Sequence, residues 1–302
     1  MTQVLGIIKE GKLIPEELWM KFVINLQNDF DNLETNKERA KRELREAIIE
    51  SMKRRITQRF GVLFSGGVDS SLIAFVAKQL NCKFTCYTAG LEKSDDILWA
   101  KKVANEYKLD LKYKILELDE FETVIKNVVK ILSDTDFVKV SVGSVLYAAG
   151  NLALSDGNKT LFNGLGSEEI FAGYQRHGDT VKGNNFKALH SECWNGLKNM
   201  WSRDLSRDFL IAKSLDLDLR TPFLDKDLIK TAMNIHPMFK LDNDNKKIIL
   251  RETAEFIGLK REFAWRKKQA AQYGSDFVNG IEKLAKRKGY KLKNDYLKSL
   301  AK

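Results

Sequence analysis

Phe60-Gly61-Val62-Leu63-Phe64-Ser65-Gly66-Gly67-Val68-Asp69-Ser70-Ser71-Leu72 is the stretch on which the fold turns. Its opening run, Gly61-Val62-Leu63-Phe64, is apolar, too brief for a helix and bounded by small residues, which is the pattern of a buried parallel strand. From Ser71 to Ala77 the apolar residues continue at helical spacing, so the order is strand, glycine loop, helix. That junction suits a phosphate. Gly66 and Gly67 let the backbone approach an anion closely, and the N–H groups that open the helix have no internal partners. Ser65 and Ser70 add hydroxyl donors. Asp69 repels a polyphosphate unless a divalent cation lies between them, so the loop implies magnesium too. It has neither the lysine and spacing of GxxxxGK[ST] nor the GxGxxG of dinucleotide folds.

Downstream, residues 83–88 read as a second strand, Ser94 caps a helix running to Tyr107, and residues 111–116 read as a third strand. Helices over 121–132 and about 144–154 precede a fourth strand at 160–163. Strands alternating with helices predict an α/β fold with a parallel sheet and right-handed crossovers, whose ligands sit at the carboxyl ends of the strands. Phe64, Thr88 to Gly90, and Asn163-Gly164 fall at those ends. Upstream, Val4 to Ile8 and Lys12 to Ile14 suggest a hairpin around Glu10-Gly11, with a helix from Pro15 to about Phe30. Thr35 and Glu38 then fit a capping box before Ala40, Leu44, Ala47, Ile48, Met52 and Ile56, which share one helical face. From Asn184 onward the strand signal disappears and a helical lobe is expected. The chain thus divides at 1–34, 35–183 and 184–302.

At 302 residues with 43% hydrophobic content, the chain can bury a sizeable core. No run of eighteen apolar residues occurs, and charges break the N-terminal stretch within nine residues, so neither a membrane span nor a signal peptide is expected, and the cytoplasm is the expected compartment. Cys82, Cys86 and Cys193 make no CxxC pair and read as small core residues. The net charge of +10 is uneven: residues 281–302 hold eight Lys/Arg against Glu282 and Asp295. Such a tail is either a solvated lysine-rich helix or a surface for nucleic acid, and the absence of interleaved aromatics favours the helix.

The loop Ser65 to Ser70 resembles the PP-loop of the N-type ATP pyrophosphatases, which cleave ATP between the α and β phosphates. Asn163-Gly164-Leu165-Gly166-Ser167-Glu168-Glu169-Ile170-Phe171-Ala172-Gly173-Tyr174 resembles the SGEGSDEIFGGY segment of asparagine synthetases. Asp204 and Arg207, with Leu219 to Asp225, are similar to the DxxR and ARxPFLD stretches of the same synthetase domain, and Lys247 to Glu252 with Arg266-Lys267-Lys268 to its KxxLRE and RxK ending. Ala172 to His177 and Lys268 to Ser275 are most similar to the asparagine-synthetase-domain-containing proteins that lack a glutaminase domain.

This resemblance implies a PP-loop, adenine nucleotide alpha hydrolase-like sheet with flanking helices and an ATP-dependent, AMP-forming ligase, in which a carboxylate, aspartate for instance, is adenylated for attack by an amine. It implies ATP and Mg²⁺ at Ser65, Gly66, Gly67, Asp69, Ser70, Asn163 and Gly164, with Asp69 and Glu168 holding the metal and the backbone of Phe64 and Ala89 meeting adenine. Lys247 is then the charge stabiliser, while Glu169, Asp204 and Arg207 arrange the substrate side. Two departures qualify the match. The sequence begins Met1-Thr2 with no cysteine nucleophile, so ammonia is expected from solution or a separate glutaminase. The family's loop glutamate, a plausible base toward the amine, is Leu165, which accepts no proton. Two other readings stay open: a PP-loop enzyme that modifies tRNA or a nucleotide, and an ATP-binding protein without turnover.

Overall fold

The computed structural model describes residues 8–9, 12–181, 185–267 and 269–301. Strands β1 (Ile8–Lys9) and β2 (Lys12–Leu13) pair antiparallel as the expected hairpin; Val4 to Ile7 and Glu10-Gly11 lie outside the described residues. Helix α1 (Glu16–Leu26) follows, then α2 (Lys37–Lys53). The cap of α2 sits one residue later than Thr35: the Asn36 side chain accepts the Arg39 N–H, so Glu38 falls in the first turn without closing a box.

The central sheet is formed by β3 (Phe60–Leu63), β4 (Phe84–Gly90), β5 (Leu111–Ile115), β6 (Thr160–Phe162) and β7 (Asp218–Arg220), all parallel, in the order β5-β4-β3-β6-β7. Between them run α3 (Val68–Gln79), α4 (Asp95–Tyr107), α5 (Leu118–Leu132), α6 (Phe137–Ser155), α7 (Ser167–Ile170), α8 (Gln175–Thr180), α9 (Phe186–Met200) and α10 (Ser206–Ser214). β7 corrects the expectation of no strand after 184. It is short, at an edge, and alternates charge with one leucine: Asp218 pairs with Arg220 while Leu219 faces the core, so it carries no apolar run to read.

Alternation splits the sheet cleanly. Phe60, Val62, Cys86 and Phe162 face a core shared with α1, α2, α3 and α9, and with α11 (Lys226–Asn234) and α12 (Ile248–Ile257). Tyr87, Ala89, Leu161 and Leu219 face a second core with α5, α6, α10, α15 (Phe277–Arg287) and α16 (Lys293–Ser299). Phe60 packs on Phe84 and Phe162 of the flanking strands, with ring centroids 5.7 and 4.6 Å apart. Helix α6 is long and apolar enough to cross a membrane by length and composition, although no eighteen-residue apolar run marks it in the sequence. Half of it is buried inside the protein, where it packs on the sheet. Part of the basic tail's charge is used in packing: Arg287 reaches Asp119 and Glu122, and Lys288 reaches Glu122 as well. Cys82, Cys86 and Cys193 are free thiols, the last two buried.

Candidate active site

The chain leaves β3 at Leu63, adds β4 and β5 on one side of it and returns to form β6 on the other, so the connections that follow β3 and β6 run to opposite sides and open a crevice above the carboxyl ends of these two strands. Phe64 extends the ladder by donating its N–H to the Tyr87 carbonyl at 2.8 Å. Gly66 then turns at φ 71°, and any Cβ there would lie 2.7 Å from the Trp99 backbone, so this position needs glycine twice over. The serines serve the loop itself. Ser65 Oγ accepts the Gly67 N–H at 3.3 Å, and Ser70 Oγ takes the Ser65 N–H and donates to the Gly67 carbonyl. Gly67 is the N-cap of α3 and offers no side-chain acceptor, which leaves the first-turn donors to a ligand.

Over this loop lies a cavity of about 280 Å³, lined by Phe64, Ser65, Gly67, Asp69 and Ser70, by Thr88 and Ala89, and by Asn163, Gly164, Glu168 and Glu169. The structure thus brings together three strand ends named from the sequence. Helix α6 adds an apolar wall of Val142, Val145, Leu146 and Ala149. Leu165 also lines the cavity, its N–H held by Asn163 Oδ1 at 3.2 Å.

Lys247 arrives from the far end of the chain as the N-cap of α12, in a left-handed conformation with φ 58° that a lysine rarely adopts. Its side chain is 1% exposed, and its Nζ donates to Asp69 Oδ2 at 2.7 Å, to Ser167 Oγ at 3.0 Å and to Glu168 Oε1. Burial lowers its pKa while Asp69 pulls it back up. Gly173 makes room for this cluster: a Cβ there would fall 1.7 Å from Glu168 Oε2 and 2.5 Å from Lys247 Cε.

Does a magnesium ion fit? The described residues contain no group of three or more His, Cys, Asp or Glu suited to a metal. Asp69 and Glu168 are nevertheless hard oxygen donors drawn to one cationic point, and Mg²⁺ is ordinarily held by one or two carboxylates with substrate phosphates and water completing its shell. The pair fits such an ion on a nucleotide.

Behind the cavity lies a second ionic cluster. Glu169 is 1% exposed; its Oε1 accepts from the Tyr174 hydroxyl at 2.9 Å and from Arg203. Burial and the neighbouring Asp204 both raise its pKa. Asp204 accepts from Arg203 at 2.6 Å and from Arg207 at 3.3 Å, while Arg207 also holds Asp208 at 2.7 Å. Arg207 and Asp208 line the cavity; Asp204 stands one layer back, within a π-helical turn over Trp201–Leu205. Sequence reading missed Arg203, Tyr174 and Asp208, all within or beside the quoted motifs. It also missed the buried pair of Arg266 and Asp96, 2.8 Å apart, from which Arg266 donates to the Ser65 carbonyl.

The family model for asparagine synthase matches residues 43–188 and 181–294. A Methanocaldococcus jannaschii protein assigned by name as a glutamine-hydrolysing asparagine synthetase is 32% identical, the match covering 90% of this chain and 58% of that protein. Asparagine synthetase B of Escherichia coli is 29% identical over 76% of this chain and 44% of its own length. The chain therefore spans about half the length of the curated relatives it matches. Among solved structures, the NMN synthetase of Francisella tularensis aligns with a TM-score of 0.43 and 11% identity, covering 87% of this chain and 93% of that one. With the family model spanning most of the chain from α2 to α15, the protein belongs to the asparagine synthase family.

Proposed function

We propose that the protein is an ATP-dependent, AMP-forming ligase that activates a carboxylate and passes it to an amine. The observation that carries this reading is the convergence of Asp69, Glu168 and Lys247 at the mouth of a phosphate loop, beside a cavity with an apolar wall. Adenine lies against α6 with the backbone of Phe64 and Ala89 beside it, and the Gly67 end of α3 faces the phosphates. A bound magnesium ion on Asp69 and Glu168 supplies charge neutralisation of the triphosphate. A carboxylate oxygen of the substrate attacks the α-phosphorus, the bond from that phosphorus to the bridging oxygen breaks, and pyrophosphate leaves with the electron pair. Lys247 meets the charge that grows on the leaving group. An amine nitrogen then attacks the acyl carbon, AMP leaves with the electron pair of the broken acyl–oxygen bond, and the proton lost from nitrogen passes to water, since residue 165 accepts none. Glu169, Asp204 and Arg207 shape the substrate end, and Glu169, raised by burial, is the carboxyl that lines the cavity beside it.

On this reading the donor is ammonia or another small amine, a separate glutaminase is one source of it, and the cytoplasm is the proposed compartment. Leu165 favours one second reading, an ATP-binding protein that adenylates or binds without forming amide. The test is to incubate the protein with magnesium ATP, aspartate and ammonium chloride and to quantify AMP, pyrophosphate and asparagine. AMP and pyrophosphate are expected with little asparagine, because residue 165 accepts no proton. Asparagine formed in step with AMP would make Leu165 irrelevant; absence of AMP with every carboxylate tried would leave the binding protein.

A further inference from the structure

A second cavity, of about 570 Å³, opens on the far side of Lys247 from the nucleotide cavity, and Tyr174 and Lys247 form part of its wall. Its charged lining is one-sided. Lys246, Lys247, Arg251 and Lys267 contribute cations, and Asp244 is the single acid among the described lining residues. Arg251 is the informative member. It is 6% exposed, and its guanidinium donates to the carbonyls of Lys246, Ala264 and Arg266 at 2.8, 2.6 and 3.1 Å, so among the described residues its charge has no hydrogen-bonded carboxylate. Arg251 also lines a narrow cleft of about 50 Å³ with Ser65, Gly67, Arg266 and two acids, Asp69 and Asp96. Cationic side chains therefore link the phosphate loop, through Lys247 and Arg251, to the more open Lys246 and Lys267, with Asp69, Glu168 and Asp96 interleaved only at the loop end, where they hold Lys247 and Arg266.

We propose that this second cavity is the exit for the leaving pyrophosphate, a use that rests on the adenylating reading given above. Charge decides between the two small molecules that need a separate path. A protonated amine is repelled by such a lining, whereas pyrophosphate is drawn along it. Topology supports the assignment too: once the α-phosphorus has bonded to the substrate carboxylate and released its bridging oxygen, the acyl-adenylate fills the 280 Å³ cavity and blocks return that way. Pyrophosphate lies on the Lys247 side, against Arg251 and Arg266. Escape there leaves the reactive ester covered until the amine arrives.

Lys246→Glu combined with Lys267→Glu tests this, with Lys246→Gln/Lys267→Gln as the milder pair, using inorganic pyrophosphate with magnesium and AMP as probes in calorimetric titration. The exit requires that wild-type protein bind both probes at once, with pyrophosphate affinity unchanged by saturating AMP. The Glu pair should weaken pyrophosphate binding at least tenfold, the Gln pair less, and both should leave AMP affinity as it was; the difference should shrink in high salt. Mutual exclusion of AMP and pyrophosphate, or equal pyrophosphate affinity in all three proteins, would overturn the exit while leaving the adenylating reading intact. A protein that binds neither AMP nor magnesium ATP would remove that reading, and the exit with it. Binding of a short RNA in place of pyrophosphate would make the cavity a nucleic-acid surface instead.

Discussion

Lys247 holds Asp69 and Glu168, the two carboxylates proposed above for the nucleotide's cation, so on that reading its ammonium would have one role before ATP arrives and another after. An ion held by Asp69 and Glu168 would share their charge and leave the buried ammonium of Lys247 for the phosphates. We therefore expect Lys247→Ala to slow AMP formation by roughly a hundredfold or more while ATP affinity at saturating magnesium stays near wild type. Single-turnover quench measurements beside ATP titrations check this, and a loss of affinity matching the loss of rate would make Lys247 a ground-state clamp. Much of this cluster was legible in the sequence because the glycine loop and the acidic segment are contiguous motifs with a stated chemistry. Arg203 was not, since a single arginine in a helical stretch reads the same whether it faces water or, as here, a buried carboxylate, and Arg266, though part of a quoted motif, carried no sign of its pairing with Asp96.

Elements bring these residues together, and their ends are where sequence reading slipped. Thr35 and Glu38 have the spacing of a capping box, yet Asn36 takes the capping bond because its short side-chain carbonyl reaches the Arg39 N–H at 3.0 Å. Asn36→Ala should cost about 1 kcal/mol of stability and Thr35→Ala much less, as read from chemical denaturation midpoints; the reverse ranking would restore the box. The helices over 95–107 and 118–132 start close to where their caps and periodicity place them, whereas α6 begins seven residues before its reading at 144. The cause is physical: α6 is apolar on most sides, against the sheet, α5 and α10, so it lacks the polar stripe that defines a period. β7 escaped for the opposite reason, having too little apolar surface to show any pattern.

Across the whole molecule, the two cores hold titratable groups that charge only with difficulty. Burial lowers His177 from 6.5 to about 3 and His190 from 6.5 to about 4, with nearby cations adding to the effect in each. Depressed values mean that the folded state binds these protons less readily than the unfolded chain. Their stabilising contribution is complete above pH 6.5 and is lost as pH falls toward 4 and then 3, by about 1.4 kcal/mol per unit for each histidine that charges only on unfolding. Denaturation midpoints followed from pH 7 to 4.5 should fall, and His177→Gln/His190→Gln should flatten that slope even if it lowers stability at pH 7. An unchanged slope in the double variant would assign acid sensitivity to carboxylates instead.

Asp69 and Lys247 are 178 residues apart in the chain, and β3 and β6, side by side in the sheet, are joined through all of α3 to α6. During synthesis, the glycine loop leaves the ribosome long before its lysine, so a nascent chain presents Asp69 before Lys247 exists to pair with it. Closing loops of this length is slow, and such distant contacts mature late. If nucleotide binds as proposed, it should recognise only the finished molecule, lengthening the lifetime of the native state by slowing unfolding while doing little to hasten the first collapse.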